Sequence, residues 1–130
     1  MNKWMWIVIF FIVQAFGDAR AEIVITTPSD NNYVEERPIV RGTINPSAPV
    51  WVIVHPVKTS NYWVQPISTV NGTNWSAQIY IGRPGSIDVG KHFEIKAFSV
   101  ANNNLTEGVV LGRWPDAKDN SQVIEVIRGK

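Results

Sequence analysis

The sequence contains no cysteine among its 130 residues. Disulfides, thiolate metal ligands and cysteine nucleophiles are therefore excluded, and so is a lipoprotein anchor, which needs an acylated cysteine at the cleavage point. Net charge is nearly as scarce, with a formal balance of +1 and no run of basic residues. Phosphate recognition needs clustered Lys and Arg; here they are single and interleaved with acids, so nucleic acid is not a fitting partner, and a polybasic segment for a membrane surface is likewise missing. Helical periodicity is missing too from Glu22 onward, where apolar residues do not recur at the three- and four-residue spacing of an amphipathic helix.

What is present begins with an export signal. Met1-Asn2-Lys3 gives a short positive start, Trp4 to Phe16 is apolar except for Gln14, and Ala19-Arg20-Ala21 supplies the small-x-small pattern that signal peptidase accepts. The apolar stretch is shorter than the roughly 20 residues a bilayer-crossing helix needs. Residues 1–21 thus read as a signal-peptide helix and residues 22–130 as the mature domain, secreted or periplasmic. An uncleaved anchor that tethers the domain to the membrane is the alternative. Cleavage removes Lys3, Arg20 and Asp18 and leaves acids and bases in balance. The mature chain is long enough for one domain with a continuous core, and without disulfides it must be stabilised by packing.

From Glu22 onward, short runs with period-two alternation are punctuated by Pro, Gly, Asn and Asp about every ten residues, the pattern of a sandwich or barrel. Strands are expected at Glu22 to Thr26, Pro38 to Ile44, Val50 to Val57, Tyr62 to Val70, Asn74 to Ile81, Lys91 to Ala101 and Ser121 to Arg128. The Tyr62 to Val70 stretch is a strand or a bent pair, with Pro66 at an edge or bend. Asn71-Gly72 marks a hairpin. Asn102 to Asn120 is the longest irregular segment, with room for a short strand at Gly108 to Leu111.

Several of these stretches together resemble the bacterial immunoglobulin-like (fibronectin III-like) modules: Ile23-Val24-Ile25 with Pro28, Val40-Arg41-Gly42-Thr43, the Val50 to Val54 run, Trp75, and Ile87-Asp88-Val89-Gly90-Lys91-His92-Phe93-Glu94-Ile95. The likeness covers nearly all of the mature chain. It lacks the antibody-type cysteine pair, and His92 or Phe93 stands where a corner tyrosine is expected. The resemblance implies an all-β, antiparallel sandwich of about seven strands, and a binding, adhesive or structural role in the cell envelope.

Catalytic constellations are hard to assemble from these residues. The two histidines, His55 and His92, have no metal-ligand spacing around them, so neither a metal nor another cofactor is expected. No G-x-S-x-G elbow is present, and Gly82-Arg83-Pro84-Gly85 lacks the Lys-Ser/Thr ending of a phosphate loop. Asp88 with Glu94, or Asp116 with Asp119, could form a carboxylate pair, but loop acids are ordinarily solvated. Asn71, Asn74 and Asn104 begin formal glycosylation patterns that are better read as turns. A non-enzymatic module is expected.

Two surfaces are candidates for function. If Val50, Val52 and Val54 face the core, Trp51 and Ile53 point outward, as do Phe98 and Val100 on the neighbouring strand, forming an apolar face rimmed by His55, Glu94, Lys96 and Glu125. Such a face fits a protein partner or a second copy, unless the Asn102 to Asn120 segment with Trp114 covers it. The alternative is carbohydrate binding, with Tyr62, Trp63 or Trp114 as platforms for sugar rings and Gln65 as a polar neighbour.

Overall fold

In the computed structural model, residues 21–100 and 105–130 are described; the expected signal peptide, apart from Ala21, lies outside them. Successive side chains of a strand point to opposite faces. Along β1 (Glu22–Thr27) and β3 (Ile39–Asn45), Ile23, Ile25, Val40 and Ile44 accordingly turn inward while their neighbours are exposed or half-buried. With β6 (Thr69–Asn71) and β7 (Asn74–Gln78), these strands form a four-stranded sheet in the order β1-β3-β7-β6.

The second sheet runs β2 (Tyr33–Val34), β11 (Ile124–Arg128), β8 (His92–Ser99), β4 (Trp51–Pro56), β5 (Tyr62–Val64) and β9 (Val110–Leu111). A further short strand, β10 (Asp119–Asn120), pairs with β8 beyond the end of β11, separated from it by a break in which the Ser121 hydroxyl accepts the Ala97 N–H at 2.9 Å. Among the described residues every pairing is antiparallel except that of β2 with β11. The described chain is thus an all-β sandwich of two sheets.

The expected strands appear with boundaries shifted by a few residues, and β2 and β10 are additions. The Tyr62 to Val70 stretch is a bent pair: β5 belongs to one sheet and β6 to the other, with Pro66 in the crossover between them. The hairpin from β6 to β7 closes through Gly72 and Thr73, and Gly72 supplies the left-handed turn at φ 62°.

Val40, Ile44, Val52, Ile79, Ile81, Ile95 and Val126 are fully shielded between the sheets. Each such side chain is worth roughly 1.5–3 kcal/mol relative to exposure, so the interior carries the stability that disulfides would otherwise supply. A smaller apolar cluster lies on the other side of the larger sheet and is built on Trp51, Ile53, Val64 and Phe98. β4 is therefore covered on both faces, and Trp51 through His55 are all buried.

Candidate functional site

Trp51, Ile53 and Phe98 do share the outer face of the larger sheet, but that face is not open. They are 5%, 0% and 1% exposed. Tyr62, half-buried Val100, Leu105, Leu111, Trp114 and Ala117 pack over them. The expected exposure is thereby corrected: residues 105–117 lie over this face as a strap, since an apolar sheet face of this size left in water would forfeit the burial that its own chain can provide. The Trp114 indole is the centre of the cover, 6.0 Å from the Phe98 ring and edge-on to Tyr62 at 4.8 Å, with Lys96 Nζ above both Phe98 and Trp114.

His55, expected as a rim residue, is buried under the same strap. Its ring stacks on Tyr62 at 4.0 Å and 7°, with Nδ1 2.7 Å from Glu94 Oε1 and Nε2 2.7 Å from the Thr59 carbonyl. Of the three aromatics expected as sugar platforms, Tyr62 and Trp114 are thus committed to packing against His55, Phe98 and each other. Trp63 is not.

Alternation sends Trp63 to the opposite face from Tyr62. It pairs with Val54 and with Val110, so the three side chains share the inner face of the larger sheet. Val54 is buried, whereas Trp63 and Val110 are 40% and 42% exposed. The inner face therefore runs out of cover toward this edge of the sheet, and Trp63 on β5 lines an open cleft of about 970 Å³. One wall is the turn at residues 57–61. The other is Tyr80 with the loop that follows it.

Both walls are held by hydrogen bonds that the sequence did not announce. Thr59 Oγ1 donates to the Pro56 carbonyl at 2.7 Å and accepts the Asn61 N–H at 3.2 Å, while Thr59's own carbonyl is the partner of His55. Gln65 is buried. Its amide accepts the Tyr80 N–H at 2.8 Å and donates to the Trp63 carbonyl at 3.4 Å, bridging the two aromatic positions across the cleft. Tyr80 is 49% exposed, and the Arg37 guanidinium lies 3.7 Å from its ring centroid. Gln65, expected as a polar neighbour of exposed aromatics, braces two of them.

The loop 82–91 carries the charge. Asp88 is buried, and its carboxylate accepts the Arg83 N–H at 2.7 Å, Arg83 Nε at 3.1 Å, Arg83 Nη2 at 2.9 Å and Lys91 Nζ at 3.0 Å. The side-chain and backbone hydrogen bonds from Arg83 hold the Asp88 carboxyl well below the usual carboxylate range, and Asp88 in turn raises the Arg83 guanidinium. Behind the loop lies Arg128, the last residue of β11 and almost wholly buried. Its Nη1 donates to the carbonyls of Ile81 and Arg83, both at 2.8 Å, its Nη2 to the carbonyl of Gly85 and to Glu36 Oε1, and its Nε to the Gly129 carbonyl. Gly82 makes room for this arrangement: at φ 81°, a Cβ there would lie 2.9 Å from Asp88 and 3.2 Å from Arg128 Nη1.

The cleft lining includes His92, Asp88 and Glu107. Asp88 is saturated by four donors, and His92 Nδ1 is 2.7 Å from Glu125 Oε2, outside the lining. The two histidines are on separate carboxylates, Glu94 and Glu125. Among the described residues no group of three His, Cys, Asp or Glu side chains is placed to hold a metal. What the cleft can offer a ligand is a half-open indole, a half-open phenol ring and several charged or amide side chains at its rim. That combination of apolar surface with a few orienting polar groups is the usual make-up of a small-ligand site.

No known protein family matches the chain, and no curated protein sequence does.

Proposed function

We propose that this chain is an exported, non-catalytic immunoglobulin-like module that binds a saccharide in the cleft at Trp63. The immunoglobulin-like assignment is supported by strand order. β1-β3-β7-β6 corresponds to the A-B-E-D sheet, and β11-β8-β4-β5 to G-F-C with the added C′ strand of the variable type. Export rests on the signal-like residues 1–21, and the absence of a catalytic role on the commitment of both histidines and of Asp88 to other partners.

The observation that carries the saccharide assignment is the half-open indole of Trp63 on the uncovered inner face of β5. The C–H face of a sugar ring is apolar and stacks on such an indole, while its hydroxyls reach surrounding amide and charged groups. A protein partner held by Trp51, Ile53 and Phe98 is the weaker assignment, because the strap bearing Trp114 already occupies that face.

The test is retention on a broad glycan array, with Trp63→Ala beside the parent protein. Selective retention that falls at least about tenfold in Trp63→Ala, with unchanged unfolding temperature, is expected. Silence across the array, or equal retention by the variant, would overturn the assignment.

A further inference from the structure

Two cations on the cleft wall share one buried anion. Arg83 and Lys91 both bond the Asp88 carboxylate, yet their side chains remain 62% and 58% exposed. One negative charge cannot balance two positive ones, so the trio keeps an excess positive charge whose position is fixed by the hydrogen bonds to Asp88. Lys58 adds a third cation to the lining from the opposite turn, and Glu107 is the lining's second acid.

The positions are set before any ligand arrives. Arg128 holds the carbonyls of Ile81, Arg83 and Gly85 from behind, and the loop is stitched to β11 by Gly90 N–H to the Arg128 carbonyl at 2.8 Å and Arg128 N–H to the Lys91 carbonyl at 2.9 Å. Ordering two long cationic side chains ordinarily opposes binding; here Asp88 has already ordered them. Glu107 disfavours an anion on its own side and so directs a ligand's charge toward the loop.

We infer that the cleft takes an acidic saccharide, one ring lying against Trp63 and a carboxylate of the sugar meeting Arg83 and Lys91, an inference that rests on the saccharide reading of the cleft. A guanidinium and an ammonium side by side suit a carboxylate, because charge-assisted hydrogen bonds are the stronger kind. A neutral sugar would leave this charge unanswered.

Calorimetric titration of the purified exported protein with trigalacturonate and with its methyl ester tests the inference, since the two differ in charge and hardly in shape. The acid is expected to bind at least about tenfold tighter than the ester, Lys91→Gln to reduce that ratio to about threefold or less, and Trp63→Ala to weaken both ligands. Lys91→Gln keeps the Arg83 contacts to Asp88, and an unchanged unfolding temperature shows that it folds. Equal affinity for acid and ester, both lost in Trp63→Ala, overturns the acidic preference and leaves the saccharide reading standing. Binding of the acid that Trp63→Ala does not weaken overturns the inference as adsorption by charge alone. Neither probe binding, together with a silent glycan array, overturns the saccharide reading itself.

Discussion

The indole of Trp75 fills the space that a side chain on Gly42 would occupy. The two residues are directly opposed on β7 and β3, and a Cβ on Gly42 would lie 2.5 Å from Trp75 Cζ2 and 2.0 Å from the Val24 carbonyl of β1. Trp75 Nε1 donates to the Thr43 carbonyl at 3.0 Å, which pins the ring over the glycine. Gly42→Ala is therefore expected to destabilise the fold by at least about 1–3 kcal/mol, since neither the ring nor the neighbouring backbone can give way cheaply. Urea unfolding of the variant checks this, and a change below about 0.5 kcal/mol would contradict it.

The strap makes a second prediction. Trp114→Ala removes the centre of the cover over Phe98 and Tyr62. A loss of about 2–3 kcal/mol is expected, below the full large-to-small penalty of a deep core because Trp114 is only half-buried. The uncovered Trp51, Ile53 and Phe98 should then bind a hydrophobic dye under native conditions. The double variant Trp51→Ser with Phe98→Ser should not fold at all, because it opens the second cluster from within. A folded double variant that has merely lost association would instead mark that face as a working surface.

These two cases separate what the sequence makes legible from what it does not. Alternation alone assigns Gly42 and Trp75 to the interior and Trp51, Ile53 and Phe98 to the opposite face of their strands, because the strand period is fixed by geometry. It cannot say whether a second layer covers that opposite face. Leu105, Leu111, Trp114 and Ala117 are irregularly spaced along a segment whose only strand is the two-residue β9 among the described residues before β10, so no period reveals that they converge on it. Of the three aromatic platform candidates only Trp63 stands clear of the second cluster, and Tyr62 and Trp114 look identical to it in sequence. Arg128 was missed because Arg is almost always a surface residue. The signal was nonetheless available: Arg128 is in phase with Ile124 and Val126, which face the core.

Acid dependence follows from Asp88. Its folded-state pKa lies below that of the unfolded chain, so its contribution is fully present above the ordinary carboxylate value of about 4 and declines as pH falls further. Asp88→Asn is expected to cost about 1–3 kcal/mol at neutral pH through weakened charge-assisted hydrogen bonds to Arg83 and Lys91. Unfolding curves of both proteins between neutral pH and strong acid should therefore converge only below about pH 4. A gap that stays constant down to strong acid would mean that the ionised carboxylate is not what holds the loop.

Arg128 offers the most direct test of how the cleft wall is built. Its guanidinium serves the carbonyls of Ile81, Arg83, Gly85 and Gly129 together with Glu36, a set that only a planar, five-donor group can satisfy at once. Arg128→Lys keeps the charge but has three donors from one point, so several of these carbonyls lose their partner inside the protein. Leaving buried polar groups unpaired costs about 1–3 kcal/mol for each group that water cannot reach. The damage should be local in its first effect. Hydrogen exchange at the amides of Arg83, Val89 and Gly90 is expected to accelerate by at least about tenfold, while the amides of β3 and β7 slow or quicken only with global stability. Because the same loop carries Arg83 and Lys91 into the cleft, trigalacturonate affinity should fall in Arg128→Lys even though Arg128 itself is almost wholly buried behind the loop. Unchanged exchange in the loop would show that Gly82 and the Asp88 cluster suffice to set its shape without the arginine behind it.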